Sequence, residues 1–188
     1  MTDKYALLIG INYTGSGQAL QGCLNDVASM KKYLIEKRNY PPDNIVVLLE
    51  KNATHNAILI EFSQLMLKSH FASEIFLSYS GHGSYLRDID NDENDGNDEC
   101  IIPYDMHNHI TDDVLHSYLK FISNRCKAFF CMDCCHSGTI LDLQYSFSKG
   151  HLEENKDYKL TGDIVCISGC LDSQASADAS VDGRFKEL

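Results

Sequence analysis

The stretch "KAFFCMDCCHSG", residues 127 to 138, joins an apolar run to a cluster of polar and reactive side chains. The aromatic and apolar composition of residues 127 to 134 predicts a buried strand. Cys134 ends that strand, and Cys135, a histidine, a serine and a glycine follow at once. Because function gathers at the carboxyl ends of strands in parallel sheets, the stretch predicts a functional site at the end of this strand.

Similar apolar runs recur along the chain and alternate with segments of helical period. Between residues 24 and 38, for example, apolar side chains return at three- and four-residue spacing, which predicts an amphipathic helix. The alternation predicts an α/β fold with a mostly parallel sheet covered by helices on both faces. The predicted strands are 5–12, 44–50, 74–81, 100–105, 127–134 and 163–169, and the predicted helices are 24–38, 54–69 and about 111–122.

The composition fits one globular domain. The chain has 188 residues, of which 44% are hydrophobic. The formal net charge of −11 and the acidic run at 87–99 disfavour nucleic acid as a partner. No apolar stretch approaches the roughly 20 residues of a membrane span, so we expect no membrane partner. Eight cysteines occur without a signal-like N-terminus, which predicts a reduced, cytoplasmic protein.

The cysteines around residue 134 admit four uses. A zinc site usually needs two separated ligand pairs, and a thioredoxin-like pair needs both cysteines at the start of a helix. Cys131 lies inside a predicted strand, so both uses stay as weaker alternatives. We expect packing roles for Cys126, Cys131, Cys166 and Cys170. The fourth use, a thiolate nucleophile at the strand end, needs a base that the fold brings near in space.

His82 is the best candidate for that base. It lies between Gly81 and Gly83 in "YSGHGS" (79–84), at the end of the third predicted strand, and the glycines allow close approach. It precedes Cys135 by 53 residues, close to the separation of about 50 in caspases. We expect the six histidines outside these two motifs to be surface or packing residues.

Four motifs in this order resemble those of the metacaspases, the caspase-like cysteine peptidases of clan CD, family C14. They are "GCLNDV" (22–27), "YSGHGS" (79–84), "DCCHSGTILDL" (133–143) and "ISGCLDSQASADA" (167–179). The resemblance implies a caspase-like three-layer sandwich, formed by a single domain over 1–188. It also implies a large-subunit region at 1–143, a linker at 144–160 and the start of a small-subunit region at 161–188, which is cut short.

The resemblance assigns the catalytic roles. The usual family motif is Asp-Ser-Cys-His-Ser-Gly, so Cys135 matches the nucleophile and Cys134 takes the place of the serine. His82 matches the catalytic histidine. Backbone N–H groups of Cys135 and Gly83 are the implied oxyanion donors. Cys134 is expected to pack or to form a hydrogen bond, and its thiol could trap an oxidised Cys135.

The resemblance also implies cleavage of proteins or peptides after Arg or Lys. A basic side chain needs carboxylates at the bottom of its pocket. The matching positions are Asp26, Ser80 and Asp133. Asp26 also lies in the first turn of a predicted helix, where the helix dipole favours an acid.

Calcium is the implied activating cofactor. Hard cations take carboxylate oxygens, and the positions that match the family's ligands are Asp98, Asp112, Asp113 and Asp142. The acidic run itself is not an EF-hand, because Glu93 stands where that loop requires glycine. We expect its remaining acids to form a solvated face.

Three further expectations concern the whole protein. The linker offers Lys149, Lys156 and Lys159 for self-cleavage in a flexible loop. A second polypeptide could supply the region that the family has beyond this chain. The rival functions are a catalytically silent caspase-like domain that binds partners and a zinc-binding module.

Overall fold

The computed structural model describes residues 3–87, 97–135, 139–148, 150–155, 158–169, 178–181 and 184–187. The strands are β1 (Lys4–Gly10), β2 (Ile45–Leu49), β3 (Glu74–Ser80), β4 (Gly83–Arg87), β5 (Asn97–Ile101), β6 (Ile110–Thr111), β7 (Lys127–Asp133), β8 (Tyr145–Ser148), β9 (His151–Glu154), β10 (Asp163–Ser168), β11 (Asp178–Val181) and β12 (Arg184–Glu187). The helices are α1 (Cys23–Arg38), α2 (His55–Lys68) and α3 (Asp112–Leu119).

Five parallel strands form the central sheet, in the order β10-β7-β3-β1-β2. Apolar runs such as "ALLIG" at 6–10 are buried throughout, as expected of strands covered on both faces. The predicted α/β class with a mostly parallel sheet is therefore confirmed. Gly10, Ser80 and Asp133 lie side by side in the register of β1, β3 and β7. The carboxyl ends of these three strands thus meet at one edge of the sheet.

Helices cover the two faces of the sheet unequally. On one face, α2 and α3 pack against the sheet in a large core, whose buried members include Phe62, Leu77, Leu115 and Phe130. On the other face, α1 packs over β1, β2 and part of β3 in a smaller core that includes Val27 and Leu34. The two cores sandwich the sheet in three layers.

Within the described part of the chain, the α1 side of β10 is left open and that of β7 is only partly covered, by contacts such as that of the Arg38 guanidinium, 5.8 Å from the centre of the Phe129 ring. Val165 and Ile167 alternate with packed residues along β10 and are 46% and 67% exposed. Their register partners on β7 are Phe129 and Cys131. We call the surface formed by these four residues the open face. Such an uncovered surface is unusual for a strand of a parallel sheet, because these strands are ordinarily covered on both faces.

Most predicted elements agree with the structure within a few residues. Thr54 caps α2 by accepting a hydrogen bond from the Ala57 N–H at 3.3 Å. The strand predicted at 100–105 is instead β5. The prediction began too late in the sequence, because two acidic residues within β5 interrupt its apolar pattern. The helix predicted to reach residue 122 ends at Leu119.

The segment predicted as a flexible linker at 144–160 is partly ordered. β8 and β9 pair antiparallel, with Phe147 opposite Leu152 and Tyr145 opposite Glu154. Aromatic and apolar residues at alternate positions favour such a ribbon, and the polar residues between them masked that alternation. Lys159 follows the ribbon and is exposed, whereas Lys149 and Lys156 lie outside the described residues.

No helix in the part of the chain that the structure describes is long and apolar enough to cross a membrane.

Candidate active site

A cavity of about 310 Å³ opens beside the sheet edge where β3 and β7 end. Asp26, Ser80 and Asp133 all line it, so the structure brings together the three residues predicted to bind a basic side chain. The Ser80 hydroxyl donates a hydrogen bond to Asp26 Oδ2 at 3.3 Å. Met30 and Tyr33, one and two turns further along α1, provide an apolar wall. Two carboxylates at one end and an apolar wall suit a long aliphatic side chain with a cationic tip.

Gly169, just after β10, keeps space for one of these carboxylates. A Cβ atom at this position would lie 2.7 Å from Asp133 Oδ1. The absence of a side chain at residue 169 therefore permits the observed orientation of Asp133 next to the cavity. Asp26 lies in the first turn of α1, so it also meets the positive end of the helix dipole, as predicted.

His82 is held on several sides by residues that sequence reasoning missed. Its ring stacks on the ring of Tyr13, with 4.6 Å between centroids and 28° between planes. Its Nε2 atom lies 2.7 Å from the carbonyl oxygen of Gln18. Because a carbonyl can only accept, we assign the hydrogen to Nε2, which leaves Nδ1 to exchange a proton.

Two buried tyrosines hold the backbone of His82. The Tyr13 hydroxyl accepts from the His82 N–H at 3.0 Å, and the Tyr79 hydroxyl donates to the His82 carbonyl at 2.7 Å. Burial raises the pKa of both hydroxyls well above the ordinary value, so both remain protonated and able to donate. The histidine is thus fixed at its ring and at its peptide groups.

Gly83 brings the histidine loop against the cysteine loop. A Cβ atom at this position would overlap the carbonyl oxygen of Cys135 and would lie 3.2 Å from the Cys134 Cβ. Only a glycine allows this approach of two backbones. His82 and Cys135 therefore flank a tight contact between their loops, at the edge where the cavity opens. The roles of His82, Cys135 and Gly83 stay predictions, and His136, Ser137 and Gly138 lie outside the described residues.

The other thiols near the sheet are poor nucleophiles. Cys134 is fully buried in the large core, as the packing prediction for this position requires. Burial, and then the nearby carboxylates of Asp133 and Asp26, raise the pKa of Cys131, which lines the cavity instead of only packing. Burial also raises the pKa of Cys126 to about 11 and that of Cys166 to about 12. Protonated thiols do not compete with a thiolate at the strand end.

The four predicted calcium ligands surround the junction of β5 and α3. Asp112 is buried, and its two carboxylate oxygens accept from the N–H groups of Glu99 at 2.7 Å and of Asp113 at 2.8 Å. Thr139 donates to Glu99 Oε2 at 2.6 Å, and its carbonyl accepts from the Asp142 N–H at 2.7 Å. Hydrogen bonds thus connect β5, the start of α3 and the segment that follows the predicted nucleophile.

These carboxylates have the right chemistry for calcium but are not drawn together around one point. The Oδ1 atoms of Asp98 and Asp142 are shielded from solvent, as ligand oxygens often are. Burial is the main cause that raises the pKa of Asp112 to about 8. Among the described residues, however, no three His, Cys, Asp or Glu side chains lie close enough to hold a metal ion. The calcium site stays a prediction.

Comparison with known proteins decides the family. A family model for the metacaspase, peptidase C14 domain matches residues 4–144, which contain the cavity, His82 and Cys135. The chain belongs to the metacaspase family. The predicted resemblance is therefore confirmed over most of the described sheet.

Individual relatives agree with this assignment. Metacaspase-1 of Yarrowia lipolytica is 35% identical over 237 residues, which cover 96% of this chain and 51% of the relative. Metacaspase-1 of Schizosaccharomyces pombe is 32% identical over 239 residues and is covered to 56%. This metacaspase chain thus spans little more than half the length of these relatives. A crystal structure of a Geobacter sulfurreducens protein matches with a TM-score of 0.71 at 24% identity, covering 98% of this chain and 78% of that one, and it supports the fold.

Sequence reasoning missed the loop that follows β1, although a signal was present. The rule that sites form at the carboxyl ends of parallel strands points to the end of β1 as well as to the ends of β3 and β7. β1 lies next to β3, and "NYTGSGQ" (12–18) leaves its carboxyl end. Applying the same rule there would have indicated Tyr13 and Gln18 as neighbours of His82 in this metacaspase.

Proposed function

We propose that the chain is a cysteine endopeptidase that cuts on the carboxyl side of Arg or Lys. The observation that carries this proposal is the meeting, at one sheet edge, of the histidine loop, the cysteine loop and a cavity with two carboxylates. Family membership supports a cysteine peptidase. The two acids and the apolar wall of the cavity support a preference for long basic side chains.

In the proposed reaction, Nδ1 of His82 takes the proton of the Cys135 thiol. The thiolate attacks the scissile carbonyl carbon, forming a C–S bond, and the carbonyl oxygen becomes an oxyanion that accepts from backbone N–H groups of Cys135 and Gly83. His82 then gives its proton to the leaving nitrogen as the C–N bond breaks. Water, deprotonated by His82, cleaves the remaining thioester, which releases the new carboxyl terminus and restores the thiol.

Asp26 and Asp133 bind the guanidinium or ammonium group of the residue before the scissile bond. Ser80 supports Asp26 through its hydrogen bond, so the carboxylate is already oriented when the substrate arrives. The methylene groups of that substrate residue pack along Met30 and Tyr33. An acidic substrate residue would meet two like charges and would be rejected.

Calcium activation is the second part of the proposal. Calcium would supply positive charge that offsets the repulsion among Asp98, Asp112, Asp113 and Asp142. The support is the carboxylate chemistry of these residues and the hydrogen bonds that connect them to the segment after Cys135. Binding would require the carboxylates to move closer together.

Self-cleavage is proposed at Lys159, which is exposed and lies beyond the β8–β9 ribbon. The residues of a ribbon are less accessible to a protease, because their backbone is already paired with the neighbouring strand and that pairing must open before cleavage. Intact mass measurement of the wild type and of Cys135→Ala, after incubation with calcium, tests this step. Cleavage in the wild type alone supports it, and cleavage of both variants means that a contaminating protease is responsible.

A second candidate function is a catalytically silent domain that needs a second polypeptide. The open face favours it, because Val165 and Ile167 expose apolar surface on a strand of the central sheet. A polypeptide that packs on this face would lie beside Asp133 and the cavity.

The cytoplasmic location inferred from the cysteines stays a prediction.

An Arg-terminated fluorogenic peptide distinguishes the two functions. We expect hydrolysis by the wild type with calcium, and none by Cys135→Ala or His82→Ala. Cys134→Ser should retain activity, because this thiol is buried in the core. Absence of turnover in every variant, with and without calcium, would contradict peptidase activity for this chain and favour the silent domain.

A further inference from the structure

Tyr13 occupies a strained and well-supported position directly after β1. Its backbone has φ +51°, in the left-handed region that non-glycine residues rarely adopt, and its side chain is buried. The carboxylate of Glu50 accepts from the N–H groups of Asn12 at 3.1 Å and Tyr13 at 3.0 Å, and from the Thr14 hydroxyl at 2.5 Å. One carboxylate therefore fixes the loop in the conformation that presents the tyrosine.

The side chain of Tyr13 touches His82 at two separate places. The rings stack at 4.6 Å, and the hydroxyl accepts from the His82 N–H at 3.0 Å. The same hydroxyl donates to the carbonyl of Ile102 at 2.6 Å, which fixes the direction of its hydrogen. A contact at the backbone and a contact at the ring together restrict rotation about the bonds that orient the imidazole.

We propose that Tyr13 is a positioning residue for His82. It keeps the imidazole in the orientation in which Nε2 donates to Gln18 and Nδ1 is left for the Cys135 thiol. The π face of Tyr13 also stabilises a positive charge on the imidazole, the form that the histidine takes once it holds the thiol proton. This assignment rests on the proposed function, because it gives a role to a neighbour of the proposed base.

A purely structural role makes a different prediction. Tyr40 is a buried tyrosine whose hydroxyl donates to Glu74 at 2.8 Å in the smaller core. If Tyr13 only fills space, Tyr13→Phe and Tyr40→Phe should both lower stability and leave the reaction unchanged. A positioning residue should instead lower kcat and spare KM, since it does not contact the substrate.

The first test measures Cys135 without requiring peptidase turnover. Iodoacetamide alkylation at pH 6.5 is followed by tandem mass spectrometry, which separates Cys135 from Cys134. An ordinary thiol is only about 1% ionised at this pH, so fast alkylation reports a thiolate paired with His82. We expect His82→Ala to slow alkylation by about tenfold or more, and Tyr13→Leu to slow it nearly as much. Tyr13→Phe keeps the ring, so its alkylation rate should stay within about threefold of the wild-type rate. The control Tyr40→Phe should be alkylated at the wild-type rate.

The second test uses the Arg-terminated peptide with calcium. We expect Tyr13→Leu to lower kcat by about 10- to 100-fold with KM within about twofold, and Tyr13→Phe to lower it less. Urea unfolding identifies any variant that does not fold. If Tyr13→Leu is unfolded, Tyr13→Phe decides, because loss of the His82 N–H bond should still lower kcat severalfold at constant KM.

The outcomes separate the two proposals. Equal alkylation of the wild type and His82→Ala would contradict the Cys135–His82 pair, and the role of Tyr13 would fail with it. Slow alkylation in His82→Ala but wild-type rates and kcat in folded Tyr13→Leu would overturn the role of Tyr13 alone. Wild-type kcat in Tyr13→Phe, when Tyr13→Leu is unfolded, would overturn it as well.

Discussion

Ser80 lies directly opposite Asp133 in the register of β3 and β7, and the Ser80 hydroxyl donates to Asp26 on α1. Two strands and a helix therefore place two carboxylates at one cavity. Because these elements belong to the core, the acids are held apart at a set separation before any substrate binds. Such preorganisation lowers the cost of binding a cation there.

Asp133→Asn should weaken hydrolysis of an Arg-terminated peptide. The amide keeps the shape of the carboxylate but removes its charge, so we expect kcat/KM to fall by about 100-fold, mainly through KM. A peptide ending in norleucine serves as the control, because its side chain has similar length and no charge. Equal losses for both peptides would show that Asp133 acts on the fold of the site and not on the cation.

Gly83→Ala should disrupt the contact between the histidine and cysteine loops. The new methyl group would overlap the Cys135 carbonyl, which must move away, and we expect kcat to fall by about 10- to 100-fold. Gly17→Ala is the matched control, since a Cβ atom there meets nothing within 4 Å. Comparable peptide turnover by the two variants would contradict the importance of this backbone approach.

The sheet, His82 and Cys135 could be predicted from the sequence, because each is marked by a local pattern of residues. Continuous apolar runs marked β1, β3 and β7, and the rule for strand ends placed His82 and Cys135 at one edge. The supports of His82 could not be read in this way. Glu50 and Tyr13 are 37 positions apart in sequence. Nothing in the local composition indicates that the Glu50 carboxylate fixes the loop that contains Tyr13.

The ribbon of β8 and β9 and the short strand β6 were missed for a related reason. The pairing of β8 with β9 depends on the partner strand and not on burial, because β9 is exposed along its whole length, whereas β6 has only two residues and is too short to show a pattern. The open face was also hidden, since Val165 and Ile167 have the composition of a covered strand. Only the position of α1 over β1 and β2 shows that these side chains have no helix above them in the described residues.

Calcium binding should depend on Asp142. Its backbone has φ +47°, which asparagine tolerates, so Asp142→Asn removes charge without backbone strain. We expect isothermal titration calorimetry to show at least about tenfold weaker calcium binding by this variant. Asp163→Asn, at an exposed position on β10, is the charge-matched control. Identical isotherms for wild type and Asp142→Asn would remove this residue from the ligand set.

The stability of the calcium-free protein should fall as pH rises from about 4 to about 8. Burial raises the pKa of Asp112 from 3.8 to about 8, so the folded state binds a proton that the unfolded chain releases at lower pH. The contribution is complete below about pH 4 and is lost as pH rises through about 8. Urea unfolding in the presence of a chelator measures it.

Asp112→Asn should flatten this dependence, because the amide does not titrate. The variant should also be less stable at low pH, because asparagine has a single acceptor oxygen and its NH₂ group, which only donates, would face either the Glu99 or the Asp113 N–H group. Asp163→Asn, at an exposed position on β10, is the matched control for the loss of a carboxylate. Parallel pH curves for the wild type and Asp112→Asn would mean that a different buried acid holds the proton.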